Sequence, residues 1–122
     1  MMSHLKELLE EYGADYQGTM DRFMGNETLY LRLLDMLFED ENLKKLGNAL
    51  EAGDQNAAFE AAHTLKGVAA NMGLTPLCGR VSALVEPLRA GEKRDDYPEL
   101  YRALEVEFAR ADRLRHRIKG GL

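Results

Sequence analysis

Cysteine is almost missing from this chain, with Cys78 the only one among 122 residues. An intramolecular disulfide is therefore excluded, and so is a zinc cage built on two or more thiolates of one chain. Proline is scarce as well, at three residues, and no Val/Ile/Thr-rich stretch alternates with polar residues as a half-buried strand would. Nor is there a basic surplus. The formal net charge is −5, the pI is near 5.2 and no basic stripe runs along the chain, which argues against a nucleic-acid partner. The start, MMSHLKELLEEYG, carries charges in its first turns and no apolar run, so neither a secretory signal nor a membrane span is expected there. These absences point to a soluble cytoplasmic protein with one core, a single domain over residues 1–122.

What remains is rich in Leu, Ala, Glu, Lys and Arg at helical spacing, and the expected fold class is all-α. Leu5, Leu8, Leu9 and Tyr12 mark one face of a short first helix, with Gly13 placed to end it. Asp15 is the expected cap of a second short helix that closes at Gly25. Asn26 then caps a long third helix running to Gly53, bent at the acidic run Glu39 to Glu41, with Leu29, Leu33, Leu34, Leu37, Leu43, Leu46 and Leu50 inward. Asp54 caps a fourth helix that ends at Gly73. A fifth starts with Thr75 as cap and Pro76 in first position, kinks at Pro87, reaches Gly91 and turns Leu77, Val81, Leu84 and Leu88 inward. A last helix has Pro98 in its first turn and Tyr101, Leu104, Phe108, Ala111 and Ile118 inward, before a frayed tail KGGL. Four longer helices with short connections predict an up-down-up-down antiparallel four-helix bundle, its core about 14–119, with one or two additional short N-terminal helices beside it.

The fourth helix contains HTLKGVAANMG, residues 63 to 73, where Gly67 costs about 1 kcal/mol relative to alanine in a helix interior. On a helical wheel Ala58, Ala61, Leu65, Val68, Ala69 and Met72 lie opposite His63 and form the core face. His63 is thus displayed to solvent beside Phe59, Glu60, Lys66, Gly67 and Ala70. An exposed histidine can be a surface accident, and a lone lysine a solvated charge. Together, however, the residues describe a nucleophile, a cation one turn on at Lys66, and a surface cleared by Gly67 and Ala70 for a partner. The chemistry that suits them is phosphoryl transfer to an imidazole nitrogen. An ordinary imidazole, with a pKa of about 6.5, is mostly neutral at pH 7 and needs no general base. The anion formed can be steadied by Lys66, with positioning and electrostatics supplying most of the rest.

The stretch AAHTLKGVAANMGL, with Ala62, His63, Leu65, Lys66, Gly67, Gly73 and Leu74 in place, resembles the signature of histidine-containing phosphotransfer (HPt) domains of multistep phosphorelays. The upstream RFMGNETLYLRLLDMLFED is similar to the family's lead-in, so the likeness runs from about Ala14 onward. The resemblance implies a phosphoryl carrier in which His63 takes the group from a receiver-domain phospho-aspartate and hands it to another receiver. It implies response-regulator receiver domains and a hybrid sensor histidine kinase as partners, with Lys66 on the phosphoryl oxygens and Gly67 admitting the receiver. No cofactor is implied on this chain, because the receivers bring magnesium. Phe59, Ala70 and Gly73 are candidate docking positions, and the carrier is expected to be a monomer. Some relatives carry a polar side chain at the position of Val85 to hold the histidine region, which valine cannot do. Arg89 falls where relatives often carry a basic residue, yet a last-turn arginine equally suits a helix dipole.

Three other classes compete. An ATP-dependent histidine kinase would need a phosphate loop of the G-x-x-x-x-G-K-[ST] kind or a second, nucleotide-binding domain, and the chain has neither. A metal site is disfavoured because His4, His63 and His116 fall on three different helices. A docking module that binds receiver or kinase domains without being phosphorylated is the nearer alternative, against which the intact His-x-Leu-Lys-Gly core weighs.

Overall fold

Asp15, Asn26 and Asp54 each accept a hydrogen bond from a backbone N–H three residues on, from Gly18, Leu29 and Ala57 at 3.1, 3.0 and 3.1 Å. Each satisfies a donor that a helix start would otherwise leave unpaired. In the computed structural model, which describes residues 2–120, these caps open α2 (Tyr16–Arg22), α3 (Glu27–Glu39) and α5 (Gln55–Asn71). The remaining helices are α1 (Met2–Tyr12), α4 (Asn42–Ala52), α6 (Thr75–Arg89) and α7 (Tyr97–Gly120). Among the described residues there is no strand, so the all-α expectation holds.

The expected long third helix is two helices. Asp40 leaves the helical region at φ −71°, ψ 138°, and its carboxylate accepts from both the backbone and side-chain nitrogens of Asn42, at 2.7 and 2.6 Å. A short acidic side chain that bonds ahead to the next helix competes with continuing the previous one, so the acidic run breaks the helix where a bend was expected. Thr75 is likewise not the cap of α6. The flanking residue is Leu74, without a side-chain cap; its carbonyl accepts from Cys78 N at 2.8 Å, so the helix starts one residue earlier. Helix α6 continues through Pro87 to Arg89. At the other end α7 runs on through Lys119, whose ammonium donates to Asp35 at 2.8 Å. Of the expected frayed tail, Gly121 and Leu122 lie outside the described residues.

Helices α4, α5, α6 and α7 form the bundle, each packed on the next and α7 closing back on α4. The end of α4, the start of α5, the end of α6 and the start of α7 meet around Leu50, Asp54, Leu88 and Tyr97, as an up-down-up-down course requires. Gln55 and Tyr97 both donate to the Glu92 carbonyl there, at 2.8 and 2.6 Å. Leu34, Leu46, Leu65, Leu84, Leu104 and Ile118 are sealed from solvent, each burial stabilising by about 1.5–3 kcal/mol. The N-terminal helices flank this bundle. Tyr12 of α1 donates to Glu107 of α7 at 2.8 Å, and Arg110 returns a bond to the Tyr12 carbonyl at 3.3 Å. Among the described residues no helix is long and apolar enough to cross a membrane.

Candidate functional site

Helix α5 is seated by small side chains. Ala58, Ala61, Ala62, Leu65 and Ala69 are buried, which puts His63 on the outward face, exposed as its helical phase predicts. Val68, read as part of the core face, is only half-buried. The C-terminal end of α5 is tied down from outside the bundle. Arg22 donates to the carbonyls of Asn71 and Ala70 at 3.3 and 3.2 Å, and Tyr30 donates to that of Met72 at 2.9 Å. These bonds give donors to the carbonyls of Asn71 and Met72 at the helix end, and a further donor to that of Ala70.

The His63 ring stacks on Phe59, with centroids 5.5 Å apart and planes 15° from parallel. Phe59 in turn carries the Arg89 guanidinium, whose carbon lies 5.3 Å from the ring centroid, a cation–π distance. One turn beyond His63, the Lys66 ammonium lies 3.5 Å from the Glu86 carboxylate of α6, and the other oxygen of Glu86 lies 3.7 Å from Arg89. The Glu86 carboxylate therefore lies between Lys66, one turn from the histidine, and Arg89, on the ring that stacks against it. Val85 is fully buried, and its aliphatic side chain offers the histidine region no hydrogen bond.

Gly67 has open space where a side chain would begin, with nothing within 4 Å of an added Cβ. Ala70, one turn further, is exposed on the same side. Gly73 is a correction to the docking set. It is buried, adopts φ +71°, and an added Cβ would run into the Thr19 hydroxyl. Its N–H and that of Leu74 bond back to Ala70 and Ala69, each at 3.0 Å, the left-handed helix ending that favours glycine. Gly73 thus ends the helix and is withdrawn from the surface that a partner can touch.

Beside Gly67 a groove of about 570 Å³ runs between α5 and α3, lined by Leu33, Met36, Leu37 and Asp40 across from His63, Thr64 and Val68. Met36 stands 57% exposed on its wall. Sequence reading assigned none of the α3 residues to the site, because the break at Asp40 sets the direction of α3. Glu86 was also missed: it sits twenty residues from Lys66, on another helix, and only the rotation of α6 brings the two together. Among the described residues no three His, Cys, Asp or Glu side chains are grouped to hold a metal ion.

An all-helical bundle displaying His63 at mid-helix, with Lys66 a turn away and open space at Gly67, fits the class of histidine phosphotransfer proteins. The Hpt domain family matches the chain over residues 32–113, and the chain belongs to that family. It is also similar to the crystal structure of histidine-containing phosphotransfer protein B (HptB) from Pseudomonas aeruginosa PAO1, at 32% identity and a TM-score of 0.79, over 89% of this chain and 96% of that one. No match is found among curated protein sequences. Proteins of this family are phosphocarriers of phosphorelays that work with receiver domains and kinases, and membership supports a carrier role for this chain.

Proposed function

We propose that His63 is the phosphoacceptor, taking a phosphoryl group from the phospho-aspartate of one response-regulator receiver domain and passing it to a second. The observation that carries this reading is the pairing of an exposed imidazole with the open space at Gly67. A nitrogen lone pair of His63 attacks phosphorus; the N–P bond forms as the P–O bond to the aspartate breaks, and that bond's electron pair leaves on the carboxylate. The proton on the other ring nitrogen stays through the transfer. The second receiver reverses these steps on its own aspartate. Such a transfer depends on alignment and charge rather than on covalent help from the protein.

Lys66 serves as the cation that steadies the phosphoryl oxygens, and Gly67 as the clearance that lets the receiver bring them to the ring. Phe59 orients the imidazole by stacking and, with Ala70, contributes to the surface the receiver meets. Magnesium belongs to the receiver, so this chain requires no cofactor. A hybrid sensor kinase supplies the first phospho-receiver, and the pathway needs no membrane or nucleic-acid contact by this chain.

Incubation with a phosphorylated receiver tests the assignment. Label should appear on His63 alone, stable to alkali and labile to acid. It should be absent in His63→Gln, and in wild type given only labelled ATP. Lys66→Ala should keep its fold and accept the group more slowly, through loss of the neighbouring charge. Label in His63→Gln, or on His4 or His116, would overturn the assignment. Receiver binding with no label at all would favour the unphosphorylated docking module.

A further inference from the structure

Glu86 faces the site without a role in the transfer just described. Its two carboxylate oxygens are divided between two cations, 3.5 Å from Lys66 and 3.7 Å from Arg89. Arg89 is further held against the Phe59 ring, which stacks on His63. In the unmodified protein both cations therefore already have an anion. A phosphoryl group on His63 brings up to two negative charges and three strong acceptor oxygens into the same neighbourhood. It competes with Glu86 for Lys66, and it meets the carboxylate as a like charge.

We infer that Glu86 is an internal counter-anion that opposes phosphorylation of His63 by occupying Lys66, and that the phosphoryl group displaces it. The inference rests on His63 being the phosphoacceptor. Glu86 is a positioning residue acting through Lys66, and its hold is light. The carboxylate is 60% exposed and the lysine 33%, a setting in which ion pairs are weak and sensitive to salt. A light hold suits a carrier, which has to give up its phosphoryl group as readily as it accepts one. Were Lys66 wholly free, the phosphorylated form would be favoured; with Glu86 present, each forward transfer has to release a pair that re-forms on the way back.

The experiment labels the full chain with potassium phosphoramidate, a small anionic phosphodonor, at low ionic strength and follows the rate of His63 labelling. Glu86→Gln should label about threefold faster or more, the scale set by removing one charge several ångströms from an exposed anion. In a Lys66→Met background the same substitution should lose at least half of that acceleration, because the cation it frees is gone. Equal acceleration in both backgrounds would mean that Glu86 acts only as a general negative charge, and would overturn the inference. An unchanged or slower rate in Glu86→Gln would overturn it too, the slower rate by showing that the pair aims Lys66 productively. Label that survives His63→Gln would remove the His63 assignment itself, and is told apart from failure of the Glu86 inference by that control.

Discussion

Tyr30 and Met72, forty-two residues apart, are joined by a hydrogen bond of 2.9 Å from the phenol to the backbone carbonyl, and both residues are sealed from solvent. Burial pushes the Tyr30 phenol above its ordinary value of 10.0, so it remains a donor throughout the neutral range. The bond fixes the end of the helix that carries His63 to α3.

Tyr30→Phe keeps the ring and leaves the Met72 carbonyl without its partner in a dry site. The expected loss is about 1–3 kcal/mol, measured by urea unfolding, with the all-helical circular dichroism spectrum retained. A variant as stable as wild type would mean that the carbonyl finds another donor.

Gly67→Ala should raise stability by up to roughly 1 kcal/mol, since alanine is the better helix former and nothing stands in the way of its methyl group. Gly67→Gln should fold at least as well as wild type and still lose phosphoryl transfer from a receiver, because its side chain fills the space beside His63. Melting temperature and transfer rate are read on the same preparation. Normal transfer by the glutamine variant would contradict clearance as the reason for glycine.

Gly73→Ala should have the opposite sign, although it lies only six residues further on. A residue with φ +71° and Thr19 directly against its Cβ position should cost roughly 1–3 kcal/mol as alanine. Equal melting temperatures for Gly67→Ala and Gly73→Ala would refute the distinction between an open glycine and a buried one.

Acid should loosen α3 from α7. Hydrogen bonds from Lys119 and Arg115, at 2.8 and 2.9 Å, hold the Asp35 carboxyl below its ordinary value of 3.8. A carboxyl depressed in the folded state stabilises it above the unfolded pKa, and that contribution is lost as pH falls through the folded value. Asp35→Asn should therefore cost under about 1 kcal/mol near pH 7, as partly exposed pairs do. The gap between variant and wild type should close below the ordinary aspartate range. A gap that persists at pH 2 would assign the effect to shape rather than charge.

What could be read from the residues alone divides along physical lines. The caps at Asp15, Asn26 and Asp54, the burial of Leu77, Val81, Leu84 and Leu88, and the outward phase of His63 depend on residues within a turn or two of each other. Sequence carries such information directly. The break at Asp40 was harder, because no proline or glycine marks it and the deciding bond comes from a carboxylate reaching ahead to Asn42. Gly67 and Gly73 look alike in the sequence; only Thr19, brought up from α2, separates them. Lys66 and Glu86 meet through the rotation of two helices about their axes, which periodicity on either helix does not determine.

The alanines under α5 have a consequence for recognition. Ala58, Ala61, Ala62 and Ala69 are four of the five buried residues of that helix, Leu65 being the fifth, and methyl groups have no rotamers to exchange. A helix bedded in this way has little freedom to slide or roll when something presses on its outer side. The adjustments that complete an encounter therefore fall to the visiting protein and to the loose side chains above the backbone. Two visitors of different shape would meet the same stretch of backbone beneath the imidazole, so what distinguishes them to this protein has to reside in its rim.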